Sequence, residues 1–143
     1  MLKNRFKKIL VPLDGSLNSI RGLNEAISLA RLSSSQLLGV HVLPIYPKNL
    51  LGVFDTYVRY QGKLANQFLE KAKTSAARHG IDFEHKILFG NDTVKLIANY
   101  AKYSKSDVIV IGSRGQGDPN ASYLGSVANG ILQSTKIPVL VVK

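Results

Sequence analysis

With 143 residues, 45% of them hydrophobic, the chain is long enough to bury one sizeable core and too short for two ordinary domains, so a single domain over 1–143 is expected. It has no cysteine, which excludes a disulfide framework and any thiolate-built zinc or iron–sulfur site and favours an intracellular, cytoplasmic setting. Lys and Arg number 19 against 9 Asp and Glu, a formal charge of +10, yet beyond Lys3, Arg5, Lys7 and Lys8 they are scattered and not interleaved with aromatics, so a solvated basic surface is expected rather than a nucleic-acid reader.

Lys7 to Asp14 is a run of Ile, Leu and Val that closes in Asp14-Gly15-Ser16, a buried strand followed by a turn and a helix N-cap. The apolar stretch from Ile9 stops at Asp14, well short of a signal-peptide core, and no run approaches the roughly 20 residues of a membrane span, so no membrane association is expected. Ile20, Leu23, Ile27 and Ala30 then share one helical face, and Ser33-Ser34-Ser35 closes that helix. Gln36 to Leu43 is a second strand, stopped by Pro44 and Pro47. Tyr57, Tyr60, Leu64, Phe68, Ala72 and Ala76 trace a stripe of a long helix ending at Gly80.

Asp82 to Phe89 alternates apolar and polar residues, which predicts an edge strand with one wetter face, and Gly90-Asn91-Asp92 supplies a turn and cap. Val94, Ile97, Ala98 and Ala101 form the next helical face. Asp107 to Ile111 is almost wholly apolar, as for a strand buried on both sides. A glycine loop from Gly112 follows, then a helix with Leu124, Val127, Ala128 and Ile131 on one face, and a last strand from Pro138 to Lys143. Strands separated by helices of this length require right-handed crossovers, which gives one α/β domain with a doubly wound, five-stranded parallel sheet and helices on both faces. Ligands collect in such sheets beyond the carboxyl ends of the strands, where the strand order reverses. Asp14 and the glycine loop meet there if the first strand lies beside the fourth.

The loop carries the functional signal. Gly112-Ser113-Arg114-Gly115 comes off an apolar strand, and Gly125-Ser126 opens the next helix, so backbone N–H groups and a helix N-terminus can face an anion. Arg114 can supply a fixed charge to phosphates, and Asp14, an acceptor-only carboxylate, suits an adenine amino group or ribose hydroxyls. No Gly-x4-Gly-Lys-Ser/Thr occurs, and no Gly-x-Gly-x-x-Gly follows the first strand, which argues against a P-loop NTPase and a Rossmann dehydrogenase. No Ser–His–Asp set or paired carboxylates stand near the loop, and His41, His79 and His85 have no metal-ligand spacing, so a binding module is expected rather than an efficient enzyme.

These residues resemble the universal stress protein family over essentially the whole chain. Ile9 to Ser16 is similar to that family's opening strand and turn, Gly39-Val40-His41-Val42 to its second strand and Pro138 to Val142 to its last. The pattern Gly-x-x-Gly-x9-Gly-Ser, filled by Gly112, Gly115, Gly125 and Ser126, is the most specific match. The resemblance implies strand order 3-2-1-4-5 and a site for ATP with Mg2+ or Mn2+, built from Pro12, Leu13, Asp14, Val42, Gly112, Ser113, Arg114, Gly115, Gly125, Ser126 and Val127. Asp118, followed by Pro119, adds negative charge near the expected polyphosphate, which a divalent cation or Arg114 would have to offset. The short apolar strand Val139 to Val142 would leave an open edge, so a homodimer formed through it is expected, as the resemblance also implies. A stress-response sensor that binds ATP, a slow ATP hydrolase on the same site and a basic interaction protein remain as alternatives.

Overall fold

In the computed structural model, which describes residues 6–114 and 123–143, every apolar run named above forms a strand. The order along the chain is β1 (Lys8–Pro12), α1 (Leu17–Ser33), β2 (Gln36–Leu43), a 3-10 turn (Lys48–Leu50) that leads into α2 (Leu51–Ala77), β3 (Phe83–Phe89), α3 (Thr93–Tyr103), β4 (Val108–Gly112), α4 (Ser126–Ser134) and β5 (Val139–Val142). The strands make one parallel sheet in the order β3-β2-β1-β4-β5. This is the doubly wound α/β architecture expected from the crossovers.

Helix ends follow local chemistry. Ser16 Oγ accepts from Ser19 N (3.1 Å) at the start of α1, and Ser34, in the left-handed region at φ 54°, ends it. Asp92 Oδ1 accepts from Lys95 N (3.0 Å) to cap α3. α2 stops at Ala77, and Gly80 at φ 70° turns the chain back so that Ile81 N donates to Ala76 O. Two apolar layers sandwich the sheet. α1 and α2 pack Leu23, Ala26, Ile27, Leu69, Ala72 and Ala76 on Ile9, Val11, Leu37 and Val110, while α3 and α4 pack Ile97, Ala101, Ala128 and Ile131 on Leu10, Leu38, Val40, Ile109 and Ile111.

Three helical faces differ from the periodicity reading. Ile20 is exposed, because α1 approaches the end of β4 through Ser19 and Gly22, where no large side chain intervenes. Leu124 precedes α4: Gly125 adopts an extended conformation and donates its N–H to Ser113 O (2.7 Å), so the helix begins only at Ser126. In α2 the buried face is Ala65, Leu69, Ala72 and Ala76, whereas Tyr57 and Tyr60 point to solvent.

The sheet parts where the strand order reverses. β1 pairs with β2 over five positions, from Lys8↔Gln36 to Pro12↔Val40, but with β4 over only two, Ile9↔Val108 and Leu10↔Ile109. Leu13 N donates to Val40 O (2.8 Å), toward β2, and Lys8 O accepts from Asp107 N (2.8 Å), on the β4 side. By strand alternation the amide of residue 12 would therefore face β4. Proline has none, and the ladder ends there.

Candidate functional site

A cleft of about 520 Å³ occupies the gap that opens beyond Pro12. Pro12, Leu13 and Asp14 from the end of β1 form one side, and Ile111, Gly112 and Arg114 from the end of β4 form the other. Val40, His41 and Val42 of β2, with Thr93 and Ile97 of α3, make the apolar floor and back. Gly125, Ser126, Val127 and Ala128 bring the start of α4 to the mouth, beside the exposed ring of Tyr123.

Asp14 and the glycine loop, about a hundred residues apart, thus share one cleft. The carboxylate is held in place by its own turn, Oδ1 accepting from Ser16 N (2.9 Å). The amide entrance of α4 is built differently from those of α1 and α3. Gly125 at its N-cap offers no side-chain acceptor, and among the described residues no serine or aspartate covers the first amides of this nine-residue helix where they reach the cleft. Helix-start donors at the mouth of an open cleft are suited to an anion.

Of the residues expected at the site, Pro12, Leu13, Asp14, Val42, Gly112, Arg114, Gly125, Ser126 and Val127 line the cleft. Ser113 is absent from that lining. It is 4% exposed, and its hydroxyl has no hydrogen-bond partner among the described residues. Its backbone has a structural task instead, with N donating to Val142 O and O accepting from Gly125 N, both at 2.7 Å, which ties the loop to β5 and to the start of α4. Gly115, Asp118 and Pro119 lie outside the described residues.

The structure adds residues that periodicity alone did not single out. Asn18, in the first turn of α1, accepts from Arg114 N through Oδ1 (3.0 Å). A β-carbon on Gly112 would stand 2.5 Å from that oxygen and 2.7 Å from the Asn18 carbonyl, so Gly112 is needed for helix and strand to meet, apart from any ligand. His41 donates from Nδ1–H to Leu13 O (2.7 Å) and meets Phe68 edge-on, ring centroids 4.9 Å apart. Burial lowers its pKa below the ordinary 6.5, against smaller raising effects of the Leu13 carbonyl and Asp14. Thr93, Ile97 and Tyr123 enter the cleft from elements whose sequence signals only a helix face or a loop.

Among the described residues no group of three or more His, Asp or Glu is placed to hold a metal ion, and no helix is long and apolar enough to cross a membrane. The molecule is a doubly wound α/β domain with a ligand-sized cleft at its topological switch point. The family model of the universal stress proteins matches residues 5–143, and the chain belongs to that family.

Universal stress protein YxiE of Bacillus subtilis is 31% identical over 148 residues, covering 96% of this chain and 99% of the relative. A universal stress protein of Methanocaldococcus jannaschii is 28% identical over 144 residues, covering 99% of this chain and 84% of the relative. Among solved structures, universal stress protein UspA from Lactobacillus plantarum superposes with a TM-score of 0.88 at 22% identity, over 97% of this chain and 99% of that one. A universal stress protein in complex with cAMP does so at 0.76 and 24% identity, over 97% and 98%. The universal stress protein from Archaeoglobus fulgidus in complex with dAMP does so at 0.73 and 23% identity, over 97% and 99%.

Proposed function

We propose that this protein is an adenine-nucleotide-binding regulatory module of the stress-response type, taking ATP in the cleft between β1 and β4. The observation that carries the reading is the start of α4, Gly125 to Val127, whose N-cap glycine supplies no side-chain acceptor, opening onto the same cavity as Asp14 and Arg114. The phosphates would lie on the amides of α4 and the loop that begins at Gly112, with Arg114 opposing their charge. The base would rest against Val40, Val42 and Ile97, its edge toward Leu13 and Asp14. Structures of this fold in complex with cAMP and with dAMP support an adenine nucleotide as the ligand.

Mg2+ or Mn2+ would travel with the polyphosphate. The described wall offers one carboxylate, Asp14, and such an ion keeps most of its coordination for phosphate oxygens and water. The role is that of a binding module acting in the cytoplasm, and two copies would join through the edges of β5, where a strand of four apolar residues ends the sheet.

The test is calorimetric titration with Mg·ATP of the native protein and of Ser126→Pro. Proline suits the first position of a helix and follows an extended residue readily, so the fold is kept while one amide and one hydroxyl leave the phosphate cradle. Saturable one-to-one binding, weakened tenfold or more in the variant at unchanged circular dichroism, is expected. Equal affinity in both proteins would refute the α4 site.

A further inference from the structure

The long helix α2 carries two apolar faces, and the described residues cover only one of them. Ala65, Leu69, Ala72 and Ala76 pack on the sheet, and Phe54 and Val58 continue that line upward as partly buried residues. Leu50, Val53, Tyr57, Tyr60 and Leu64 follow a different line, with alternating steps of three and four residues, displaced by roughly 110° around the axis. On this second line Leu50 is 39% exposed, Val53 77%, Tyr57 50% and Tyr60 58%. Tyr46 folds back from the β2–α2 connection, but it stacks on Phe54 at a centroid distance of 4.8 Å and meets Tyr57 only edge-on at 6.4 Å, leaving the seam open.

We propose that the seam Leu50–Val53–Tyr57–Tyr60–Leu64 is the interface at which a second copy of this chain packs, α2 against α2, antiparallel about a two-fold axis near Tyr57. Charge selects this occupant. From Leu50 to Leu64 the chain has one acid and two bases, Asp55, Arg59 and Lys63, and the first two pair with each other at 3.2 Å on the side of the helix away from the seam. Within a protein of net charge +10 this stretch carries only +1, so two copies meet there with little of the repulsion that opposes contact elsewhere, and no strongly charged partner is favoured.

The spacing is that of knobs entering holes, and a contact centred on Tyr57 is self-complementary, as a two-fold interface requires. The area is sufficient. With a tyrosine presenting on the order of 200 Å², the exposed fractions leave roughly 400 Å² of seam per protomer. Flanked by Thr56 and Gln61, two copies reach about 1,000 Å², the lower bound for a specific interface. α2 lies over β2 and β3, at the far side of the sheet from β5, so this contact is independent of any pairing of β5 edges.

Mass in solution tests the proposal, measured by light scattering for the native protein and for Tyr57→Lys/Tyr60→Lys, each with and without Val141→Lys. Both tyrosines are at least half exposed, so lysines fit the isolated fold, and circular dichroism checks it. The double lysine variant is expected to have half the native mass in whichever background retains the seam. Because the chain has no cysteine, single introductions give a second readout that does not depend on the lysine variant. Under mild oxidation Tyr57→Cys should yield a covalent dimer and Asp55→Cys, on the opposite side, should not. Unchanged mass in both backgrounds, or equal cross-linking at the two positions, would overturn the pairing. So would a monomer that floats with zwitterionic phospholipid vesicles through these tyrosines, which would assign the seam to a lipid surface.

Discussion

Gly112→Ala should destabilise this protein far more than one methyl group ordinarily does. The added β-carbon would lie 2.5 Å from Asn18 Oδ1, 2.7 Å from Asn18 O and 2.9 Å from Asn18 C, and the last two are backbone atoms of α1 that cannot rotate away. Overpacking of this kind costs about 1–3 kcal/mol. Displacing Asn18 also strains its bond to Arg114 N, worth about 1 kcal/mol. The sum is about 2–4 kcal/mol, which at about 2 kcal/mol per molar urea moves the unfolding midpoint down by about 1–2 M. Repeating the substitution in Asn18→Ala removes the side-chain oxygen but not the carbonyl, so more than half of the effect should persist. A midpoint shift below about 0.3 M, or a neutral Gly112→Ala in the Asn18→Ala background, would refute the claim that helix backbone makes this position glycine.

Three further outcomes follow from single interactions. His41 has its folded pKa lowered by burial, so the unfolded chain binds the proton more readily; the neutral ring's contribution is complete above about pH 6.5 and is lost as pH falls through the folded pKa. Melting temperature should therefore drop more steeply below pH 6.5 in the native protein than in His41→Gln, and parallel curves would remove His41 as the cause. Asp107 Oδ2 accepts from Lys7 N (2.8 Å) and Lys8 N (3.0 Å) and fixes the start of β1, so Asp107→Ala should cost about 1–2 kcal/mol in urea unfolding. Val141→Lys is expected to abolish association through β5 edges, read as a fall in mass at constant fold.

The fold was legible because its signals are local and agree with one another. Ile9–Leu13 and Val108–Ile111 are short apolar runs closed by Asp14 and Gly112, and the helices between strands leave a parallel sheet as the simplest connection. The lining of the candidate cleft was legible at its strand ends and helix start, Asp14, Gly112 and Gly125, where turn chemistry and ligand chemistry call for the same residue types. It was not legible at Asn18, Thr93, Ile97 or Tyr123, since a helix or loop position does not say which distant strand it meets. Ser113 shows the reverse: a serine in a glycine loop looks like a ligand group, and burial against the end of β5 withdraws its hydroxyl from the cleft. The stripe of α2 was read as one face because steps of three and four residues suit two neighbouring faces about equally over six positions.

Asn18 links these arguments, since on the side of the cleft facing β1 the glycine loop is held by a helix, while Ser113 N ties it to β5. β1 and β4 stop pairing after Leu10↔Ile109, so no ladder bond from β1 reaches Gly112 or Arg114, and the Asn18 side chain takes the Arg114 amide instead. The loop's position over the cleft thus depends on where α1 sits. Asn18→Ala should speed hydrogen exchange at the Arg114 amide and weaken Mg·ATP binding several-fold, with unfolding lowered by only about 1 kcal/mol. Asn18→Asp keeps an oxygen acceptor at the same place and should restore the slow exchange. If the Arg114 amide exchanges equally slowly in all three proteins, the loop is held by something other than α1, and Asn18 has no positioning role.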